Sequence, residues 1–106
     1  MLKKKWILSS LKNKGSIVAD SGAINAIKKG KSLLPVGITD VNGKFVRGDT
    51  VLILNKSNRK IGTGVVSYSS EEILKIKGAK SDNIKNILGY TSRGEVVHID
   101  NMVLNK

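Results

Sequence analysis

Closely spaced β-rich runs in the middle of this chain restrict its fold more than any other feature. Residues 50–54 and 61–68 are two such runs, and Asn42-Gly43 between apolar neighbours predicts a β-hairpin before them. Gly62 and Gly64 fall inside the second run, where they indicate a bulge or the close approach of another segment. Because connections this short favour antiparallel pairing, the middle of the chain is expected to form a sheet.

A helix is predicted directly after a first strand at residues 15–19. Asp20-Ser21 can cap it by accepting a hydrogen bond from its free N–H groups. Apolar residues then recur at helical spacing, at Ala23, Ile24, Ala26 and Ile27. Lys28-Lys29 suits the negative end of the helix dipole, and Gly30 suits a left-handed stop. The helix is therefore expected to end just before Gly30.

Two further helices and a closing strand are predicted in the last third of the chain. Ser69 and Glu72 have the spacing of a capping box at the start of the second helix. Residues 81–83 open the third, whose inward-facing residues are expected to be Ile84, Ile87 and Leu88. A last strand is predicted at residues 95–104. This order of elements indicates an α+β fold with a barrel-like sheet and short helices.

No catalytic or metal-binding pattern stands out. Without cysteine there is no disulfide or thiolate nucleophile, and a single histidine, His98, cannot form a metal-binding cluster. Gly62-x-Gly64 begins a dinucleotide-binding pattern, but Ser67 stands where its third glycine belongs. Glu71 and Glu72 suit the first turn of a helix, where acids complement the dipole. We therefore predict no catalytic residue and no metal ligand, and a structural role for His98.

Length and hydropathy favour one soluble domain. A chain of 106 residues fits a single core, and its uncharged apolar stretches are too short to span a membrane. Lys3 to Lys5 followed by Trp6-Ile7-Leu8 resembles the start of a signal peptide, but its apolar part is shorter than the roughly 7–15 residues that such a segment needs. A cytoplasmic protein without a membrane segment is expected.

The chain is strongly basic, with 19 Lys and Arg residues against 8 Asp and Glu and a net charge of +11. Five of these lysines lie in residues 1–14, so residues 15–106 have a net charge of +6. This balance favours an anionic partner such as nucleic acid or an acidic membrane face, or it reflects only an AT-rich genome. We interpret residues 1–14 as a basic, linker-like lead-in and residues 15–106 as the folded domain. Trp6 either stacks on a base or packs against a neighbouring domain, and we favour the second.

Several motifs resemble those of PUA domains, which are named after pseudouridine synthases and archaeosine transglycosylases. The resemblance runs from Trp6 to Val103. Its motifs are Asp20-Ser21-Gly22-Ala23-Ile24-Asn25-Ala26-Ile27, Gly30-Lys31-Ser32-Leu33-Leu34-Pro35-Val36-Gly37-Ile38, Phe45-x-Arg47-Gly48-Asp49 and His98-x-Asp100-Asn101-Met102-Val103. The sequences of these motifs are similar to those in the C-terminal PUA domain of the bacterial glutamate 5-kinase family. Lys5-Trp6-Ile7 resembles the linker before that domain.

This resemblance implies a PUA-like, six-stranded mixed pseudo-barrel with two to three short flanking helices. It also implies a cytoplasmic parent enzyme of proline biosynthesis, which transfers the γ-phosphate of ATP, with magnesium, to the side-chain carboxylate of glutamate. The kinase domain is expected to be missing from this chain, so no catalytic residue of the family can be assigned to a position in this sequence. The chain alone is therefore expected to need no cofactor. The kinase domain is its expected partner, with Trp6 as a candidate contact, and an oligomer can form through the parent enzyme.

PUA domains of RNA-modifying proteins bind RNA with the first helix, the glycine loop after it and the closing strand. The resemblance implies that the corresponding RNA-binding surface of this chain consists of Lys28, Lys29, Gly30, Lys31, Ser32 and Arg93. Their ammonium groups would neutralise phosphates, and exposed backbone N–H groups would donate to phosphate oxygens. Leu33 or Leu34 can offer an apolar edge to a base, although both suit the core better.

Two functions therefore stay open. The preferred one is an accessory domain of a glutamate 5-kinase, with a role in regulation or assembly and a possible role in RNA binding. The alternative is a free-standing module that binds structured RNA through its basic helix and loop.

Overall fold

A five-stranded mixed sheet organises the chain in the computed structural model, which describes residues 14–90 and 94–104. The strands are β1 (Gly15–Ala19), β2 (Ile38–Gly43), β3 (Thr50–Leu54), β4 (Lys60–Val65) and β5 (Met102–Leu104). They lie in the order β2-β1-β3-β4-β5. Only β1 and β3 run parallel, while the other neighbours are antiparallel. The predicted α+β class is confirmed.

The sheet has five strands in the described part of the chain, whereas the resemblance implied six. One further pairing joins Leu33 to Val97 as an isolated antiparallel bridge. Leu33 N–H donates to the Val97 carbonyl at 2.9 Å, and Val96 N–H donates back to the Leu33 carbonyl at 2.8 Å. This bridge does not extend into a strand beyond Leu33, because Pro35 begins a 3-10 turn two residues later.

The predicted hairpin at Asn42-Gly43 is wrong. These residues end β2 and pair with Ser16 and Gly15 of β1, and the chain reaches β3 through an irregular segment at residues 44–49. Gly43 has φ +83°, and a Cβ there would lie 2.9 Å from the Lys14 carbonyl oxygen. The glycine is therefore required by the close approach of β1, which a local turn pattern does not reveal.

Three helices flank the sheet within the described residues: α1 (Ser21–Lys28), α2 (Ser70–Ile76) and α3 (Ile84–Leu88). Asp20 caps α1 by accepting the Ala23 N–H at 2.8 Å, as the sequence predicted. One face of α1 buries Ile24 and Ile27 in the core. Gly30 has φ +90°, which confirms the predicted left-handed stop.

The predicted capping box at the start of α2 is confirmed. Ser69 Oγ accepts the Glu72 N–H at 3.2 Å, and Glu72 Oε1 accepts the Ser69 N–H at 2.9 Å. The next residue, Ser70, is buried and joins the helix start to the 44–49 segment. Its N–H donates to the Phe45 carbonyl at 3.0 Å, and its Oγ accepts the Phe45 N–H at 3.2 Å.

We expect Ser69→Ala to lower the free energy of unfolding by about 1 kcal/mol, because the first turn of α2 loses its side-chain acceptor. Urea denaturation of both proteins measures this difference. Glu71→Gln is the matched control, since Glu71 is exposed in the same turn but is not part of the capping box. Equal losses for the two variants would contradict a specific role for the capping box.

The end of the chain departs from the prediction at two places. Ile84 is buried and Leu88 packs against the core, as expected, but Ile87 is 41% exposed because α3 has only five residues and presents one narrow face. The predicted strand at 95–104 is mostly absent. A 3-10 turn at Ile99–Asn101 interrupts it, and only β5 joins the sheet.

Candidate functional site

The end of α1 and the loop after it contain five residues that the sequence singled out. We call Lys28, Lys29, Gly30, Lys31 and Ser32 the basic loop. Their backbone geometry is that of a helix C-cap: Gly30 N–H donates to the Ile27 carbonyl at 3.0 Å, and Lys31 N–H donates to the Ala26 carbonyl at 3.0 Å.

This C-cap changes the expected chemistry of the basic loop. Lys29 N–H also donates to helix carbonyls, at 3.1 and 3.2 Å, so the N–H groups of Lys29, Gly30 and Lys31 are all used within the chain. The prediction that exposed N–H groups here hold phosphate oxygens is therefore wrong for these three residues. What the loop offers to an anion is the side-chain ammonium groups of Lys28, Lys29 and Lys31, which are all exposed residues.

Ser32 fixes the basic loop to the closing segment of the chain. Its Oγ accepts the Ile99 N–H at 2.9 Å, across 67 residues of sequence. The Leu33–Val97 bridge follows directly. The structure thus brings α1, the basic loop and the closing segment together. Arg93 and Trp6, the other two predicted site residues, lie outside the described residues.

A groove of about 300 Å³ lies beside the basic loop, and we call it the α1 groove. Small residues of α1 form one side, and the segment between the basic loop and β2 forms the other. Its lining residues are Asp20, Gly22, Ala23, Ala26, Lys31, Ser32, Leu34, Val36 and Gly37. Gly37 has to be glycine because a Cβ there would collide with the Cβ of Ala23.

Leu34 and Val36 give the α1 groove an exposed apolar wall, with 42% and 49% of their surfaces exposed. The sequence interpretation placed both Leu33 and Leu34 in the core, and only Leu33 is there, at 0% exposed. Pro35 is the signal that could have separated them. It keeps Leu34 extended, so neighbouring side chains point to opposite faces and only one of the two leucines can be buried.

The groups that most resemble catalytic residues have structural partners. His98 Nδ1 accepts the Asp100 N–H at 3.0 Å and caps the 3-10 turn before β5. Glu72 belongs to the capping box of α2. Within residues 14–90 and 94–104, no group of three His, Cys, Asp or Glu side chains is placed to hold a metal ion. The helices of this part are all too short or too polar to cross a membrane.

A second groove, of about 680 Å³, lies where the chain enters β1, and we call it the Val46 groove. It combines apolar residues of the 44–49 segment with polar residues of both charges. Its lining residues are Lys14, Lys44, Phe45, Val46, Asp49, Ser69, Ser70 and Glu71. Val46 is 62% exposed. The sequence interpretation did not identify this groove, because Lys14 meets residues 44–49 and 69–71 only in the folded chain.

In a comparison with protein families, the model of the PUA domain fits residues 15–88. Among curated proteins, the chain is 45% identical over 101 residues to glutamate 5-kinase of Brucella anthropi, and 48% identical over 103 residues to glutamate 5-kinase of Dictyoglomus thermophilum. These alignments cover 95% and 96% of this chain but 27% and 28% of the relatives, in their C-terminal region. The chain thus spans about a quarter of their length.

Solved structures share the fold at lower identity. A PUA domain from Aeropyrum pernix K1, in complex with tartrate, has a TM-score of 0.60 and 28% identity, covering 80% of this chain and 41% of that one. An H/ACA RNP bound to a substrate RNA has a TM-score of 0.61 and 20% identity, covering 82% of this chain and 23% of that one. The second likeness concerns the fold alone.

Proposed function

The chain belongs to the PUA domain family, and from this premise we propose that it is the accessory domain of a glutamate 5-kinase. Its role there is regulation or assembly, and the chemistry belongs to a separate kinase domain of the same polypeptide. The observation that supports this proposal is the 43–48% identity to glutamate 5-kinases along 95–96% of the chain. The solved PUA structures share much less of its sequence, at 16–28%.

The activity proposed for the whole polypeptide is the transfer of the γ-phosphate of ATP to the side-chain carboxylate of glutamate, the first step of proline biosynthesis in the cytoplasm. ATP and magnesium would bind to the kinase domain. Within the described chain, His98 and Glu72 already accept backbone N–H groups at 3.0 and 2.9 Å. We therefore assign the described residues to binding and positioning, with residues 1–14 as the link between the two domains.

The length of the natural gene product tests this proposal. An antibody raised against this chain should detect, in the source cells, a polypeptide of roughly 370 residues, since 101 matched residues are 27% of the relative's length. Cells in which the gene is deleted provide the control. A product of about 106 residues, with no longer band, would contradict the proposal and favour a free-standing module.

RNA binding through the α1 groove is a second candidate function. The groove combines the apolar wall of Leu34 and Val36 with Lys31, and two more exposed lysines, Lys28 and Lys29, come just before Lys31 in the basic loop. Unstacked bases of RNA present flat apolar faces, and the phosphates next to them attract ammonium groups. Asp20 also lines the groove. Its Oδ1 accepts the Ala23 N–H, and its other carboxylate oxygen would accept hydrogen bonds from donors on the edge of a base.

A further inference from the structure

We propose that the Val46 groove is the surface on which the rest of a longer polypeptide packs. This inference rests on the proposed function, because it takes the kinase domain of a glutamate 5-kinase as the occupant. The relatives have nearly three quarters of their length outside the match, and the match is to their C-terminal region. That remaining part would join this chain at its N-terminal side.

The position of Lys14 connects this side of the chain to the groove. Lys14 lines the Val46 groove, and its N–H donates to the Thr50 carbonyl at 3.0 Å, which fixes where the chain enters β1. A domain attached through a linker as long as residues 1–13 stays within roughly 45 Å of this point. Tethering of this kind gives an effective concentration in the millimolar range, so even a weak contact forms.

The groove has the composition of a protein–protein contact. Phe45 lies at its floor, only 4% exposed, and Val46 projects beside it with 62% of its surface exposed. Lys14 and Glu71 stand at the edge with opposite charges. An apolar centre with a polar rim is typical of protein interfaces. Charges of both signs around the Val46 groove also distinguish it from the basic loop, where Lys28, Lys29 and Lys31 suit an anionic ligand.

The segment that presents Val46 is held in place before any partner binds. Val46 N–H donates to Asp49 Oδ2 at 2.8 Å, and Asp49 N–H donates to the Val46 carbonyl at 3.0 Å. Phe45 is joined to the start of α2 by the hydrogen bonds with Ser70. An apolar side chain on an ordered segment loses little conformational entropy when it is covered, which favours its use as an anchor.

Chemical labelling of an introduced cysteine tests this inference, and the chain helps because it contains no cysteine of its own. Val46→Cys is made in the 106-residue chain and in a chimera of the Dictyoglomus thermophilum enzyme, where residues 14–106 replace only the residues aligned with them and the linker of that enzyme is kept. Val36→Cys, the same substitution at a 49% exposed site in the α1 groove, is the matched control. Maleimide labelling of each peptide is followed by mass spectrometry.

We expect the cysteine at position 46 to react about tenfold more slowly in the chimera than in the 106-residue chain, which corresponds to a contact formed nine-tenths of the time. The cysteine at position 36 should react equally in both proteins. Equal rates at position 46 would overturn the inference, as would protection of position 36 instead. Two further outcomes would also overturn the inference. If position 46 is labelled slowly already in the 106-residue chain, residues 1–13 are assigned as the occupant of the groove. If its protection is lost when the protein is diluted, a second copy of the chain is assigned instead.

The labelling rates do not depend on kinase activity or on the length of the natural gene product. Failure of the docking inference is therefore distinguishable from failure of the proposed function, which the antibody experiment measures separately.

Discussion

Charge reversal of the basic loop should weaken binding of structured RNA and flatten its salt dependence. We expect the triple variant Lys28→Glu, Lys29→Glu, Lys31→Glu to show a slope of log K against log salt that is roughly 2–3 units smaller than that of the unmodified chain. Each phosphate contact accounts for a slope of about 0.7–0.9 units, because a lysine that neutralises a phosphate releases a counterion.

The side chains have to account for this whole effect. The N–H groups of Lys29, Gly30 and Lys31 already bond to carbonyls of α1, so no backbone contribution remains at these residues once the lysines are replaced. The measurement is a titration of RNA with the purified chain at several salt concentrations.

A matched control separates a defined surface from general positive charge. Lys56→Glu, Lys75→Glu, Lys80→Glu changes the net charge equally, and these three exposed lysines lie on other parts of the described chain. The control should bind nearly as well as the unmodified chain. If both triple variants show the same slope, the positive charge acts only as a background and the RNA function is contradicted.

Replacement of Gly62 by valine should destabilise the chain by about 3 kcal/mol, at the upper end of the cost of overpacking. A Cβ at this position would collide with the backbone carbonyl of Val103 and lie 3.1 Å from the Cα of Leu104. Because backbone atoms cannot move aside as a flexible side chain can, β5 has to separate from β4. The pairing of Gly62 with Leu104 should be lost first.

Urea denaturation measures the loss of stability, and amide hydrogen exchange locates it in β5. Gly22→Ala is the control, since Gly22 lies in α1 and the nearest atom to its Cβ would be Asp20 Oδ1 at 3.5 Å. Alanine there should be neutral or stabilising by up to about 1 kcal/mol. Equal destabilisation by the two substitutions would contradict the close approach of β5.

The sequence predicted those features whose physical cause is local. The cap of α1 at Asp20, its stop at Gly30 and the capping box of Ser69 and Glu72 depend on residues at most a few positions apart. Each is found where it was predicted. The close approach at Gly62 and Gly64 was also predictable, because glycine weakens the interior of a strand and is typical of places where another backbone comes near.

The predictions failed where a distant segment supplied the partner. Asn42-Gly43 has the local signal of a hairpin, but β1 pairs with it and holds it in a strand. The predicted strand at 95–104 is interrupted because Ile99 N–H donates to Ser32 Oγ, and Asp100 N–H donates to His98 Nδ1. Side-chain acceptors thus satisfy backbone groups that a longer strand would have paired.

For the candidate surfaces, the sequence by itself determined the chemistry: three lysines around a glycine after a helix, and apolar residues on either side of Pro35. Only the tertiary structure decided which groups are available. It turns Leu34 outward and Leu33 inward, and it forms the Val46 groove from three separate segments. The physical reason is that availability depends on what each group packs against or bonds to, and those partners lie far away in the chain.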